Sequence, residues 1–252
     1  METRKRKSTS FLHGSILGHP ARTAVISFAA VILLGTLLLC LPVSSEAGQW
    51  TAPVDALFTS TSAVCVTGLI VKDTPVYWST FGEVVIMVLI QMGGLGIMTL
   101  GAFLAVMVRR TVSLQFRDMM IDLHDTEHED VWRIIRFICI LTVVMEAIGA
   151  TLLFFSWRGH FDTAGNCAYV SLFHSVSAFC NAGFSLYSDS LVGYKGSVAI
   201  NIIMAGLIVM GGIGFVVIHD VGDFLKWHLF TRQGKKPRLS THSKLALTVT
   251  GA

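Results

Sequence analysis

One short polar segment occurs twice in the chain, and its residue types suit the binding of a cation. Residues 57–68 read LFTSTSAVCVTG and residues 172–183 read LFHSVSAFCNAG, an offset of 115 with seven of twelve positions identical. Both copies end in a glycine, Gly68 and Gly183, whose freedom in φ lets neighbouring carbonyl groups turn toward a common axis. Rings of backbone carbonyls replace the water around an alkali cation without trapping it by a fixed charge. The repeated segment therefore predicts a cation selectivity filter.

The candidate ion-binding residues are the last five of each copy, acting through their backbone carbonyls. They are Val64, Cys65, Val66, Thr67 and Gly68 in the first copy, and Phe179, Cys180, Asn181, Ala182 and Gly183 in the second. Each set follows a stretch that reads as a helix of about half the hydrocarbon thickness, ending near residue 63 and near residue 178. The negative end of each helix dipole then points at the candidate site and favours a cation. The sequence predicts no catalytic residue, no bound cofactor and no metal site built from side chains.

The elements that position these segments are apolar helices. The chain is 53% hydrophobic and 14% charged, with a mean hydropathy of +0.66, far more apolar than a soluble domain. Long apolar runs predict four membrane spans, at about residues 23–42, 81–108, 134–157 and 198–219. The expected fold is an all-α integral membrane protein built from tandem helix–pore loop–helix repeats, with four complete spans and the start of a fifth.

The positive charges predict how these spans are oriented. Sixteen of the nineteen Lys and Arg residues lie in the N-terminal segment, in the central connection or after the fourth span. The positive-inside rule then predicts a multi-pass protein with a cytoplasmic N-terminus and both polar segments facing outward. The net charge of +3 is a topology signal, and no nucleic-acid partner is expected.

A second repeated block sets the domain boundaries. Residues 92–96, MGGLG, recur as residues 210–214, MGGIG, at an offset of 118, which indicates a parallel tandem duplication and close helix packing at the glycines. The predicted segments are a cytoplasmic tail at 1–21, a first repeat at 22–108 and a second at 134–219. Cytoplasmic connections fall at 109–133, with a short amphipathic helix bearing Leu114, Met119 and Leu123, and at 220–244. A third repeat begins at 245–252.

Residues 62–69, SAVCVTGL, and 177–184, SAFCNAGF, resemble the first two pore loops of the Trk/Ktr/HKT superfamily of potassium uptake proteins, most closely the Ktr-type membrane subunit. Residues 91–96 and 239–244 resemble the same branch. The resemblance implies potassium uptake across the plasma (inner) membrane, with Gly68 and Gly183 as filter glycines. It associates a glycine at position 68 with preference for potassium over sodium, and leaves sodium coupling open.

The same resemblance implies partners for the chain. In the number of its repeats, the chain departs from the family pattern. Such proteins are homodimers that bind a cytosolic nucleotide-binding regulatory subunit. They close the filter with four repeats in one chain, whereas two are visible here. We therefore expect this chain to be a fragment or a truncated product that does not enclose a pore alone.

Two other functions fit some of the residues. An intramembrane serine hydrolase would use Ser175 or Ser177 with His174, but the serines recur at positions 60 and 62, where no histidine accompanies them. A non-conducting structural subunit gives no reason for the duplicated half-helices. Glu146, the one acid deep in a predicted span, is either functional or bonded to a neighbouring helix.

Overall fold

The computed structural model describes residues 20–112, 127–228 and 241–250, and these residues are predominantly helical. No β-strand occurs in them beyond an isolated bridge between Ser45 and Trp78. The all-α class predicted from the sequence is therefore correct. The α-helices of the described residues are, in order, α1 (Pro20–Cys40), α2 (Pro53–Val64), α3 (Thr74–Tyr77), α4 (Thr80–Val112), α5 (Glu127–Trp157), α6 (Ala164–Phe179), α7 (Val198–Ile213), α8 (Phe215–Lys226) and α9 (Thr241–Thr250).

The order of the helices repeats along the chain. The two short helices, α2 with 12 residues and α6 with 16, each follow one apolar helix and precede another: α1 and α4 in the first case, α5 and α7 in the second. Each short helix packs against both of these neighbours, α2 against α1 and α4, and α6 against α5 and α7. We call these two sets the first and the second unit.

Local sequence explains where the two short helices begin. Helix α2 begins at Pro53, whose fixed φ and missing N–H suit the first helical position. Helix α6 is capped by Thr163, whose hydroxyl oxygen accepts the Asn166 N–H at 3.4 Å. The helices end at Val64 and Phe179, each one residue later than the sequence predicted.

One helical segment of the described residues, Ile135–His160, is long and apolar enough to cross a membrane by the criteria of length and composition. Three further apolar helical segments are shorter: Val25–Cys40, Thr80–Gly96 and Val198–Ile213. Large apolar side chains such as Leu33, Leu37 and Phe155 lie exposed on their outer faces. Such exposure is typical of helices surrounded by lipid.

The largest cluster of buried apolar side chains joins the two units. It contains Ile86, Leu89 and Ile90 of α4 together with Phe173 and Val176 of α6. Because the second unit contributes to this core, the two short helices are held at a defined distance from each other.

The fourth predicted span is not one continuous helix. The run at 198–219 has no proline or charge, yet α7 ends at Ile213 and α8 begins at Phe215. Between them Gly214 has φ 81° and ψ 148°, a conformation that breaks the helical hydrogen-bond ladder and that glycine adopts readily. The helix near the C-terminus begins at Thr241, before the predicted start at 245. The predicted amphipathic helix with Leu114, Met119 and Leu123 lies outside the described residues, as does nearly all of the tail at 1–21.

Candidate functional site

The first polar segment leaves α2 through a tight turn. The N–H of Cys65 donates to the Thr61 carbonyl at 2.8 Å, and the N–H of Thr67 donates to the Ser62 carbonyl at 2.9 Å. Val66 has a φ of 57° and Gly68 a φ of 73°, so two left-handed residues alternate with ordinary ones. We call residues 64–68 loop 1.

The second polar segment has the same backbone. Cys180 donates to the Val176 carbonyl at 2.9 Å and Ala182 donates to the Ser177 carbonyl at 2.7 Å. Asn181 has a φ of 59° and Gly183 a φ of 73°. We call residues 179–183 loop 2. The two loops thus share hydrogen bonds and positive φ values, although only the cysteine and the glycine are identical in sequence.

The hydrogen bonds of the loops leave their carbonyls available. The N–H groups of residues 65–67 and 180–182 are used in the bonds that tie each loop to the end of its helix. Within the described part of the chain, the carbonyls of residues 65–68 and 180–183 accept no hydrogen bond. Unpaired backbone oxygens at the negative end of a helix can bind a cation.

The structure brings the two loops into direct contact. A Cβ atom built on Gly68 would lie 2.7 Å from the Ala182 carbonyl oxygen and 3.2 Å from Gly183 Cα. A Cβ built on Gly183 would lie 3.3 Å from Gly68 Cα. The two glycines that end the repeated segments are therefore neighbours, although 115 residues separate them in the chain.

The first residue of each loop lies in a different environment from the rest. Val64 and Phe179 are each 1% exposed. Their carbonyl oxygens lie directly against Gly93 of α4 and Gly211 of α7, where any Cβ would collide. The predicted role of these glycines in close packing is thus correct, and the carbonyls at 64 and 179 face helices. Gly94 approaches the other unit, because its Cβ would lie 2.6 Å from Cys180 Sγ.

Serine hydroxyls hold each short helix and loop in place. Ser60 donates to the Ile32 carbonyl and Ser175 to the Glu146 carbonyl, both at 2.8 Å. Ser62 and Ser177 reach across their own loops and donate to the carbonyls of residues 69 and 184, at 2.7 and 2.6 Å. The sequence analysis did not predict these contacts, although the identity of the serines in both copies was the available signal.

Polar side chains also link the two units behind the loops. Glu146 is buried and its carboxylate accepts a hydrogen bond from the Cys180 thiol at 3.8 Å. Gln91 of α4 hydrogen-bonds the same carboxyl group. Tyr169 of α6 donates to the Glu83 carboxylate of α4 at 2.8 Å. The acid noted in the sequence therefore contacts loop 2 and the neighbouring unit.

The remaining polar candidates lie around the loops. The His174 ring lies within hydrogen-bonding distance of the Val170 carbonyl, at 2.8 Å, and of the Ser185 hydroxyl, at 3.0 Å. The hydroxyls of Ser175 and Ser177 donate to backbone carbonyls and not to His174. Burial raises the pKa of Tyr187 in the loop that follows, and its hydrogen bond with Tyr194 contributes, so that phenol stays neutral. No group of three or more His, Cys, Asp or Glu side chains arranged to hold a metal occurs among the residues described.

The family profile and the relatives that match this chain agree on one family. The profile of the TrkH family, described as cation transport protein, matches residues 17–235. The chain is 37% identical over 232 residues to the potassium/sodium uptake protein NtpJ of Enterococcus hirae, covering 92% of this chain and 49% of that protein. It is 35% identical over 233 residues to the Ktr system potassium uptake protein B of Bacillus subtilis, covering 92% and 49%. The corresponding protein of Vibrio alginolyticus is 40% identical over 205 residues, covering 81% and 44%. The chain thus spans about half the length of the curated relatives it matches.

Proposed function

The chain belongs to the TrkH family of cation transport proteins, and we propose that it forms part of a potassium uptake pathway in the plasma membrane. In this proposal loops 1 and 2 are two of the four pore loops that surround one ion path. The carbonyls of residues 65–68 and 180–183 coordinate K⁺, and residues 64 and 179 anchor the loops to their helices. The family transports cations and catalyses no reaction, so the serine hydrolase alternative is set aside.

The observation that carries the proposal is the contact between Gly68 and Gly183. Two segments that are far apart in sequence place their glycines side by side, with unpaired carbonyl oxygens on both. Non-helical backbone is tolerated at membrane depth only where protein buries it or where it lines a water-filled cavity. Carbonyl oxygens in such a cavity replace the hydration shell of K⁺. A turn in bulk solvent would give no reason for two loops to meet.

The orientation and the partners extend the same proposal. We place the N-terminus in the cytoplasm because most basic residues fall on that side of the predicted spans. A homodimer and a cytosolic nucleotide-binding regulatory subunit are proposed from the family resemblance. The Bacillus subtilis and Vibrio alginolyticus relatives are named as parts of a Ktr system.

The proposal is tested by changing Gly68, the more crowded of the two glycines that end the loops. A serine at Gly68 would put its Cβ within 2.7 Å of the Ala182 carbonyl oxygen, so that carbonyl must move. The substitution is made in a chimera in which this chain replaces the aligned half of the Enterococcus hirae protein, which supplies the remaining loops. K⁺ and Na⁺ uptake into proteoliposomes is then measured. We expect the K⁺/Na⁺ preference to fall by about tenfold, which corresponds to about 1.4 kcal/mol of differential binding.

Gly48→Ser in the same chimera is the matched control. Gly48 also has a positive φ, 65°, but a Cβ there would have no atom within 4 Å. Its ion preference should stay unchanged. An unaltered K⁺/Na⁺ ratio in Gly68→Ser, with uptake still measurable, would exclude loop 1 from the filter.

A further inference from the structure

One turn of α4 lies against both loops of the site. A Cβ atom built on Gly93 would collide with the Val64 carbonyl, and one built on Gly94 would lie 2.6 Å from Cys180 Sγ. Val64 begins loop 1 and Cys180 belongs to loop 2. The position of loop 2 relative to loop 1 therefore depends on how firmly loop 2 is held against α4.

Glu146 of α5 joins this part of α4 to loop 2. Its carboxyl group accepts a hydrogen bond from the Cys180 thiol at 3.8 Å and is also hydrogen-bonded by Gln91 of α4. Its backbone carbonyl accepts the Ser175 hydroxyl of α6 at 2.8 Å. Glu146 is 6% exposed, so these contacts lie inside the protein. We call the side-chain contacts of Gln91, Glu146 and Cys180 the Glu146 bridge.

The bridge belongs to the second unit and is not a general feature of the repeat. The equivalent serines of the two units donate to the carbonyls of Ile32 and Glu146, so Ile32 is the counterpart of Glu146. Adding the offset of 118 to Gln91 gives Val209 as its counterpart. Two polar residues thus stand where the other unit has aliphatic ones. An acid within a membrane-spanning helix is costly and marks a functional position by default.

We propose that Glu146 is a positioning residue of the ion path, which fixes loop 2 against α4 and thereby sets the preference for K⁺ over Na⁺. The inference rests on the proposed function, in which the Cys180 carbonyl is one of the ion ligands. The Cys180 thiol lies between the Glu146 carboxyl group and Gly94, and its N–H donates to the Val176 carbonyl at 2.9 Å. The carbonyl of Cys180 can therefore turn only if the bridge opens. The spacing of the carbonyls around an ion affects its selectivity, so a loop that shifts loses discrimination.

Both polar residues of the bridge can be replaced by their counterparts from the other unit. Glu146→Ile and Gln91→Val each remove the bridge with a side chain that the equivalent position already accommodates. In the chimera with the Enterococcus hirae protein, each should lower the K⁺/Na⁺ preference about fivefold, which corresponds to about 1 kcal/mol, the contribution of one buried hydrogen bond. The double variant should lose little more than either single variant, because both substitutions break the same bridge.

Glu146→Gln separates hydrogen bonding from charge. Its amide oxygen can accept from the Cys180 thiol, and its amide N–H can donate to the Gln91 carboxamide oxygen, which has no partner within the described part of the chain. We expect this variant to keep the parent preference for K⁺. Thr151→Val is the matched control on α5, since the Thr151 hydroxyl donates to the Ala147 carbonyl of its own helix at 2.7 Å. Its ion preference should also be unchanged.

Thiol labelling tests the bridge without measuring transport. Cys180 is 5% exposed, and its modification by a small methanethiosulfonate reagent is followed by mass spectrometry in the chimera carrying Cys65→Ser. Labelling of Cys180 should be about tenfold faster in Glu146→Ile than in Glu146→Gln, because loop 2 opens locally more often without its hydrogen bond. Both variants lack the carboxylate charge, so the difference reports access to the thiol and not its acidity.

Gly68→Ser is the reference that separates this proposal from the proposed function. If Gly68→Ser shifts the K⁺/Na⁺ preference and Glu146→Ile does not, Glu146 does not position the filter. An equal loss in Glu146→Gln and Glu146→Ile would assign the effect to charge and overturn positioning by hydrogen bonds. If Gly68→Ser changes nothing, the proposed function fails, and equal labelling rates in the two Glu146 variants would then show that the bridge does not hold loop 2. If Glu146→Ile does not insert, Gln91→Val gives the same transport test from α4.

Discussion

Replacing the loop glycines by alanine separates backbone strain from contact between the loops. Gly48, Gly68 and Gly183 have φ values of 65°, 73° and 73°. An alanine in this left-handed region costs about 1–2 kcal/mol relative to glycine, whatever surrounds it. The strain contribution to the loss of stability is therefore expected to be similar at the three positions.

The surroundings of the added methyl group differ among the three. At Gly48 it meets nothing within 4 Å, and at Gly183 its nearest neighbour is Gly68 Cα at 3.3 Å. At Gly68 it would lie 2.7 Å from the Ala182 carbonyl oxygen, a backbone atom that cannot rotate away. Overpacking of this kind adds about 1–3 kcal/mol. We expect destabilisation of about 1–2 kcal/mol for Gly48→Ala, slightly more for Gly183→Ala, and about 2–5 kcal/mol for Gly68→Ala.

The assay is reversible unfolding of the purified chain in mixed micelles, followed by the fluorescence of its five Trp residues. The Gly68→Ala, Gly183→Ala double variant completes a cycle, because contacting sites show coupling of about 0.5–3 kcal/mol. If Gly68→Ala and Gly48→Ala were equally destabilising, and the double variant strictly additive, the two loops would not be in contact and the reasoning would be refuted.

Two further predictions concern the groups that hold the loops. Ser60→Ala and Ser175→Ala should each lower the free energy of unfolding by about 1 kcal/mol, since each hydroxyl makes one buried hydrogen bond. If the two losses of stability differed by more than twofold, the two units would not be equivalent. Tyr169→Phe should lower the free energy of unfolding by about 1–3 kcal/mol, because the carboxylate of Glu83 loses its hydrogen-bond donor. If adding Glu83→Gln to this variant restores the stability, the unpaired carboxylate is the cause.

The sequence predicted much of the arrangement because the duplication is visible at the level of single residues. The ends of α2 and α6 were predicted to within one residue, and the glycines at 93 and 211 were expected at close helix contacts. The positive φ of Val66 was not predictable, since a β-branched residue at 57° is an outlier. Such strain persists only where surrounding bonds impose it.

The break between helices α7 and α8 at Gly214 was also not predictable from the sequence. Gly211, Gly212 and Gly214 occur together in an apolar run, and each could have adopted a positive φ. Gly211 stays helical because α7 presses against the Phe179 carbonyl at that residue, a contact that exists only in the folded chain. The choice among adjacent glycines therefore depends on tertiary packing and not on local preference.

The differences between the two loops favour ion binding by backbone carbonyls over ion binding by side chains. Position 66 is valine where position 181 is asparagine, yet their φ values differ by only 2°. The Asn181 side chain lies against Gly211 and Ile208 of α7, so its amide packs against a helix. Thr67 donates to the Ser62 hydroxyl at 2.9 Å, a bond that Ala182 cannot make, while the backbone bond of both residues is retained. If side chains bound the ion, these positions should match. At these two pairs of positions the backbone geometry matches while the side chains differ, so the proposed ligands are the carbonyl oxygens.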